Sequence, residues 1–266
     1  MTPGYAELPM YVAPWRVQLA NERWLELILR KLNRERQAAA HLPLPVLWEA
    51  PELLLAQTCG YPLVTRLKGR VRLVGRPRYE FPDTAAGQHC SLLLVREDDP
   101  RQALEAFAGS RGVINGPDSN SGMNLLRHSV APLQRGGRFF GSVQVSGGHR
   151  ESLRWLREGR ADLAAIDSVT FAYLARDAGY EVAGLRVLAR TAPSPTLPYI
   201  ASLTLGAEQA EALRAVMNQS LRELPEVAQV LGLGEVLGAS EEDYEVLLDY
   251  ERQAATWGLA QLHPVH

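Results

Sequence analysis

The feature that most constrains this chain is an alternation. Residues 91–95, 112–115, 139–145 and 161–166 are short apolar runs of strand character, and 100–108, 121–131, 149–158 and 168–178 between and after them have helix character. Strands that alternate with helices imply a mostly parallel sheet flanked by helices, an α/β fold. The flanks extend the pattern. Residues 5–8 are extended, and a helix over 15–32 carries Trp15, Leu19, Trp24, Leu27, Ile28 and Leu32 at three- to five-residue steps. Residues 46–48 have strand character, 51–55 form a short helix opening on Pro51, a further helix begins near Tyr61, and 70–74 alternates as a half-buried strand does. Strands over 185–189 and 198–203 precede helices over 207–221, 225–231 and 241–257.

A length of 266 residues suits two lobes. Two segments qualify as crossings between them. In 96–100 an apolar strand ends in charge and Pro100; in 191–198 Pro193, Pro195 and Pro198 exclude a central strand or a helix interior. The expected lobes are 1–96 with 191–266, and 97–190. With 46% hydrophobic and 22% charged residues and a formal charge of −2, the composition is that of a soluble globular protein without the basic surface that nucleic acid selects. No apolar run approaches the roughly 18 residues of a membrane span. The two cysteines, Cys59 and Cys90, lack metal-binding or redox spacing and are expected as buried free thiols. Residues 1–7 carry no basic region followed by an apolar stretch. The chain as written is expected to be cytoplasmic, or periplasmic if an export signal is removed from it.

Three turns carry the candidate chemistry. Val113-Ile114 runs into Gly116-Pro117-Asp118-Ser119-Asn120-Ser121-Gly122 and then a helix; Val143-Gln144-Val145 runs into Ser146-Gly147-Gly148-His149; Ala165-Ile166 runs into Asp167-Ser168. Turns after strand C-termini gather on one edge of an α/β sheet, where ligands bind, and a helix start offers backbone N–H groups and the positive end of its dipole to an anion. The same residues are also ordinary N-caps, and one turn alone would be only that. Together they supply the converging donors that a small oxyanion needs. Asp167 would accept a proton from a protonated oxyanion or pair with an ammonium group. Arg127 and Arg150 are expected to be surface charges, since backbone N–H groups suffice for an anion. No Walker phosphate loop, dinucleotide-binding glycine pattern, zinc-protease motif or serine-hydrolase elbow is present.

Ser119-Asn120-Ser121-Gly122, followed by Gly148-His149 and by 159–168 ending in Ala165-Ile166-Asp167-Ser168, resembles the phosphate, phosphite and phosphonate substrate-binding proteins of ABC importers. These belong to the type II periplasmic-binding-protein superfamily. The resemblance is specific over about 88–200; in the N-terminal part it rests on Leu8-Pro9-Met10-Tyr11 and Gln57-Thr58-Cys59-Gly60-Tyr61. It implies two α/β lobes joined by a hinge of two crossing segments, with a ligand closed between them. It also implies ligand-binding roles for Ser119, Asn120, Ser121, His149 and Asp167, and for Tyr11, Thr58 and Tyr61. Asn120 stands where the family usually has a hydroxyl residue. The expected function is a non-enzymatic binding protein for a small oxyanion, with no cofactor and no metal. An ABC permease is its possible partner, and it is a monomer with no membrane insertion. The alternative is a cytoplasmic enzyme on the same fold, with His149 and Asp167 as an acid/base pair.

Overall fold

A computed structural model describes residues 3–262. The chain divides into two units: the residues up to Gln88 with Pro195–Tyr244, and His89–Ser194 with the chain from Glu245 onward. The divisions therefore fall near 88 and 194 rather than at 96 and 190. A third lies after Tyr244, so the last helix belongs to the second unit and not, as expected, to the first.

The first unit is built on a six-stranded sheet in the order Leu233–Leu237, Val71–Tyr79, Tyr199–Ser202, Leu53–Gln57, Pro3–Glu7, Glu35–Gln37. Pro3–Glu7 pairs in parallel with both of its neighbours, whereas Tyr199–Ser202 is antiparallel to the strands on either side of it. The sheet is mixed, not mostly parallel. The helix Trp15–Lys31 buries Val17, Ala20, Trp24, Leu25 and Ile28, and Trp24 donates its indole N–H to the Met217 carbonyl at 3.2 Å. Trp15 and Leu19, expected on the buried face, are 73% and 51% exposed.

Two short segments exchange character. Leu44–Trp48 is helical, begun by Pro43 and Pro45, while Leu53–Gln57 is a strand between Pro3–Glu7 and Tyr199–Ser202. Short apolar runs are ambiguous to periodicity, and here pairing decides them. The helix expected over 100–108 is only the tight turn Leu104–Phe107, and Leu233–Leu237 is a strand that the pattern missed.

The second unit has a five-stranded sheet in the order Leu185–Arg190, Ser91–Arg96, Leu163–Asp167, Arg111–Ile114, Ser142–Val145. Its last three strands are mutually parallel; Ser91–Arg96 is antiparallel to both of its neighbours, so this sheet is mixed as well. Leu92, Leu94, Val113, Leu153, Leu156, Ile166 and Leu174 share one core beneath the helices. The three parallel strands end on one edge of this sheet, where the turns that follow them lie. Cys59 and Cys90 form no disulfide; Cys90 is buried and Cys59 partly so.

Candidate functional site

Arg111–Ile114 lies between the other two parallel strands and ends in the turn that begins the helix at Asn120. Ser119 is the cap: extended backbone, with its Oγ accepting the Gly122 N–H at 3.1 Å. The first turn is wide. Asn124 N–H reaches back five residues to the Ser119 carbonyl at 3.0 Å, so Asn120–Asn124 is a π-turn that runs on as the α-helix Leu125–Val130. Such turns insert one residue into a helix and recur at functional sites.

Gly122 is what lets the neighbouring turns close on this one. A Cβ there would lie 1.9 Å from Asn115 Oδ1 and 3.2 Å from His149 Cε1. The Asn115 carboxamide and the His149 ring therefore rest directly on the glycine. His149 opens the helix His149–Arg157, after Gly147 at φ +91°. Its Nε2 is 2.9 Å from Ser121 Oγ and 3.5 Å from Asn115 Nδ2. His149 Nδ1 and Asn115 Oδ1 are sealed from solvent without a partner. Burial pushes the His149 imidazole below its usual range; the Asp167 charge opposes that shift and His89 adds to it. With its proton on Nε2, the neutral ring donates to Ser121 and frees the hydroxyl proton for an anion. With the proton on Nδ1, Ser121 donates to the ring and Nδ1–H becomes the free donor.

Asp167 ends Leu163–Asp167 and caps Ser168–Asp177, its Oδ1 accepting the Thr170 N–H at 2.8 Å. Its Oδ2 lies 2.8 Å from His89 Nδ1, both side chains being almost wholly buried. Burial alone would raise the Asp167 carboxyl. The charge and contact of His89, the charge of His149 and the Thr170 N–H together hold it below the usual carboxylate range. The strand beside it is tied in as well, with Ser168 N–H on the Cys90 carbonyl at 3.0 Å and Ser91 Oγ on the Ser121 carbonyl at 2.9 Å.

The structure thus brings Ser119, Ser121, His149, Asp167 and Ser168 together. Asn120 is in the same turn, but its carboxamide serves the protein. Nδ2 donates to Ser194 Oγ at 3.1 Å, and Oδ1 accepts from Asn124 Nδ2 at 3.1 Å. The chain of bonds runs on to Arg127, which is buried and not the expected surface charge. Its Nη2 donates to Asn124 Oδ1 at 2.6 Å and its Nη1 to the Ala260 carbonyl at 2.8 Å. Arg150 is at the surface as expected, paired with Glu181. Tyr11, Thr58 and Tyr61 belong to the first unit and are buried there. The Tyr11 ring meets Tyr79 edge-on at 5.9 Å, and Thr58 N–H donates to the Pro198 carbonyl at 3.1 Å. His89 and Asn115 were not singled out from the sequence. The one available signal was the position of Asn115, directly after the apolar run that leads into the Ser-Asn-Ser turn. Among the described residues no cluster of three or more His, Cys, Asp or Glu is placed to hold a metal ion.

Residues 52–244, well over half of the chain, match the family described as the periplasmic substrate-binding protein of the phosphonate ABC transporter. The chain belongs to that family. The family is a transport component, not an enzyme. Among solved structures, a binding protein component of an ABC phosphonate transporter from Pseudomonas aeruginosa is 15% identical with a TM-score of 0.78, covering 96% of this chain and 87% of that one. PhnD1 from Prochlorococcus marinus, solved in complex with methylphosphonate, is 12% identical with a TM-score of 0.75 over 96% of this chain and 98% of that one. A protein from Xanthomonas citri solved with bound ATP is 12% identical with a TM-score of 0.67, covering 97% of each chain. At these identities the likeness is one of fold, that of the periplasmic binding proteins. No curated protein sequence matches the chain. No described helix is long and apolar enough to cross a membrane.

Proposed function

We propose that the polar cluster of the second unit binds a small phosphorus oxyanion, a phosphonate, phosphite or phosphate, for delivery to an ABC permease in the periplasm. The observation that carries this reading is the Ser121–His149 contact of 2.9 Å at a helix start whose cap, Ser119, is already set by Gly122 N–H. Two hydroxyls, an imidazole and first-turn N–H groups, which a helix start leaves without intrahelical acceptors, then belong to one helix start and the side chain packed on it. Asn120 fixes the turn through Ser194 and Asn124. Family membership supports the ligand class, and the methylphosphonate complex of the Prochlorococcus protein supports its tetrahedral shape. The acid/base alternative loses its pair, because Asp167 contacts His89 while His149 Nδ1 has no carboxylate on it.

A thermal-shift panel of methylphosphonate, phosphite, phosphate, sulfate and malate tests the reading. A phosphorus oxyanion at one hundred times its Kd should stabilise the fold by about 2.7 kcal/mol. A shift with malate alone, and none with any phosphorus oxyanion, would overturn it.

A further inference from the structure

We propose that His89 is a third ligand-contacting side chain of this site, and that Asp167 acts on the ligand through His89 instead of touching it. The inference rests on the oxyanion reading above and adds to it a residue that neither the turn motifs nor that reading includes.

Three observations carry it. First, the carboxylate is occupied on both oxygens: Oδ1 by the Thr170 N–H and Oδ2 by His89, each at 2.8 Å. A buried carboxylate so engaged has little left to offer an anion, and bare it would repel one. Second, His89 is buried yet unsatisfied. Its Nδ1 lies 2.8 Å from Asp167 Oδ2, and its buried Nε2 has no hydrogen-bond partner. Buried polar atoms are nearly always paired, so an unfilled imidazole nitrogen marks a place for something else. Third, His89 stands beside the binding turn. Ser91, two residues further along the chain, donates to the Ser121 carbonyl. Asp167 is paired across the sheet with Ser91, and His89 is near enough to His149 to affect its charge state. The ligand that fits Nε2 is an anionic oxygen. An imidazole placed between that oxygen and the Asp167 carboxylate lets a negatively charged ligand sit in a site that contains a fixed negative charge.

The test is titration of the full chain with methylphosphonate, comparing wild type with His89→Gln, Ser121→Ala and the double variant His89→Gln/Asp167→Asn. His89→Gln should weaken binding at least about tenfold, the loss of one hydrogen bond to a charged partner. Its thermal midpoint without ligand should stay within a few degrees of wild type. The double variant should recover part of that affinity, because it removes the uncovered carboxylate; a residue that only packs would give no such rescue. Weakened binding by Ser121→Ala with wild-type affinity in His89→Gln overturns the role of His89 and leaves the site standing. No binding to the wild type, or no effect of Ser121→Ala, overturns the site itself and this inference with it. If His89→Gln does not fold, nitrogen-15 spectra of the histidine-labelled wild type decide. The His89 Nε2 resonance should move on adding methylphosphonate while those of His41 and His128 stay, and no movement refutes the contact.

Discussion

Replacing Gly122 with alanine separates the packing that assembles the site from the stability of the fold. The new methyl carbon would fall 1.9 Å from Asn115 Oδ1, 2.5 Å from Asn115 Cγ and 3.2 Å from His149 Cε1. The carboxamide has to swing away, and the imidazole has to give by a few tenths of an ångström. Overpacking of this kind costs roughly 1–3 kcal/mol, and alanine in place of a helical glycine returns about 1 kcal/mol. The net loss is therefore only about 0–2 kcal/mol, which at about 2–4 °C per kcal/mol for a chain of this size lowers the thermal midpoint by roughly 8 °C at most. Affinity should respond more strongly. Displacing His149 from Ser121 removes a hydrogen bond to a charged ligand, about 1.5–3 kcal/mol, or roughly 10- to 150-fold in Kd. Calorimetric titration with methylphosphonate, paired with thermal melts of the unliganded protein, reads both quantities. A variant that binds as tightly as wild type would refute the argument that Asn115, Gly122 and His149 are packed to serve a ligand. One that does not fold would show that the clash reaches the backbone.

Two further outcomes follow from buried charge. Arg127→Met leaves Asn124 Oδ1 and the Ala260 carbonyl without their donor and should cost about 2–4 kcal/mol in urea unfolding, whereas an unchanged midpoint would mean that the arginine is replaceable packing. Stability should also fall as the medium becomes acidic. His149 has a folded pKa below 6.5, so between that value and 6.5 the unfolded chain holds more protons; its contribution is complete above about pH 6.5 and is lost as pH falls toward the folded value. Asp167 adds a second loss on the same side, below its ordinary 3.8. His149→Gln should flatten the urea midpoint between pH 7 and 5, and a slope equal to wild type would place that titration elsewhere.

The placement of the candidate residues was legible where it is local. A serine cap, a glycine that admits close neighbours and a polar residue after each strand are written in consecutive positions, so three turns and their common edge could be read directly. His89 could not, because its partner Asp167 is brought to it only by strand pairing across the sheet, and a histidine just before an apolar run carries no spacing signature. Arg127 was misplaced for a different reason. It was assigned to the surface because first-turn N–H groups suffice for an anion, whereas its burial depends on acceptors that packing supplies, Asn124 Oδ1 and, 133 residues away in sequence, the Ala260 carbonyl. The exchange of helix and strand between 44 and 57 has the same origin as most such errors. Three to five apolar residues fit either structure, and only the partner strands at Pro3–Glu7 and Tyr199–Ser202 decide. The mixed direction of both sheets likewise depends on long-range pairing, which alternation does not encode.

The central claim is that the helix start at Ser119–Gly122, with His149 against Ser121, holds a phosphorus oxyanion. Crystals of the full chain grown with methylphosphonate test it most directly, by where the phosphorus lies. The expected result is a phosphonate whose oxygens are within about 3 Å of the Ser119 or Ser121 hydroxyl, of first-turn N–H groups and of a His149 ring nitrogen. Phosphonate bound elsewhere in the chain, with Ser121 and His149 still bonded only to each other, would contradict the claim.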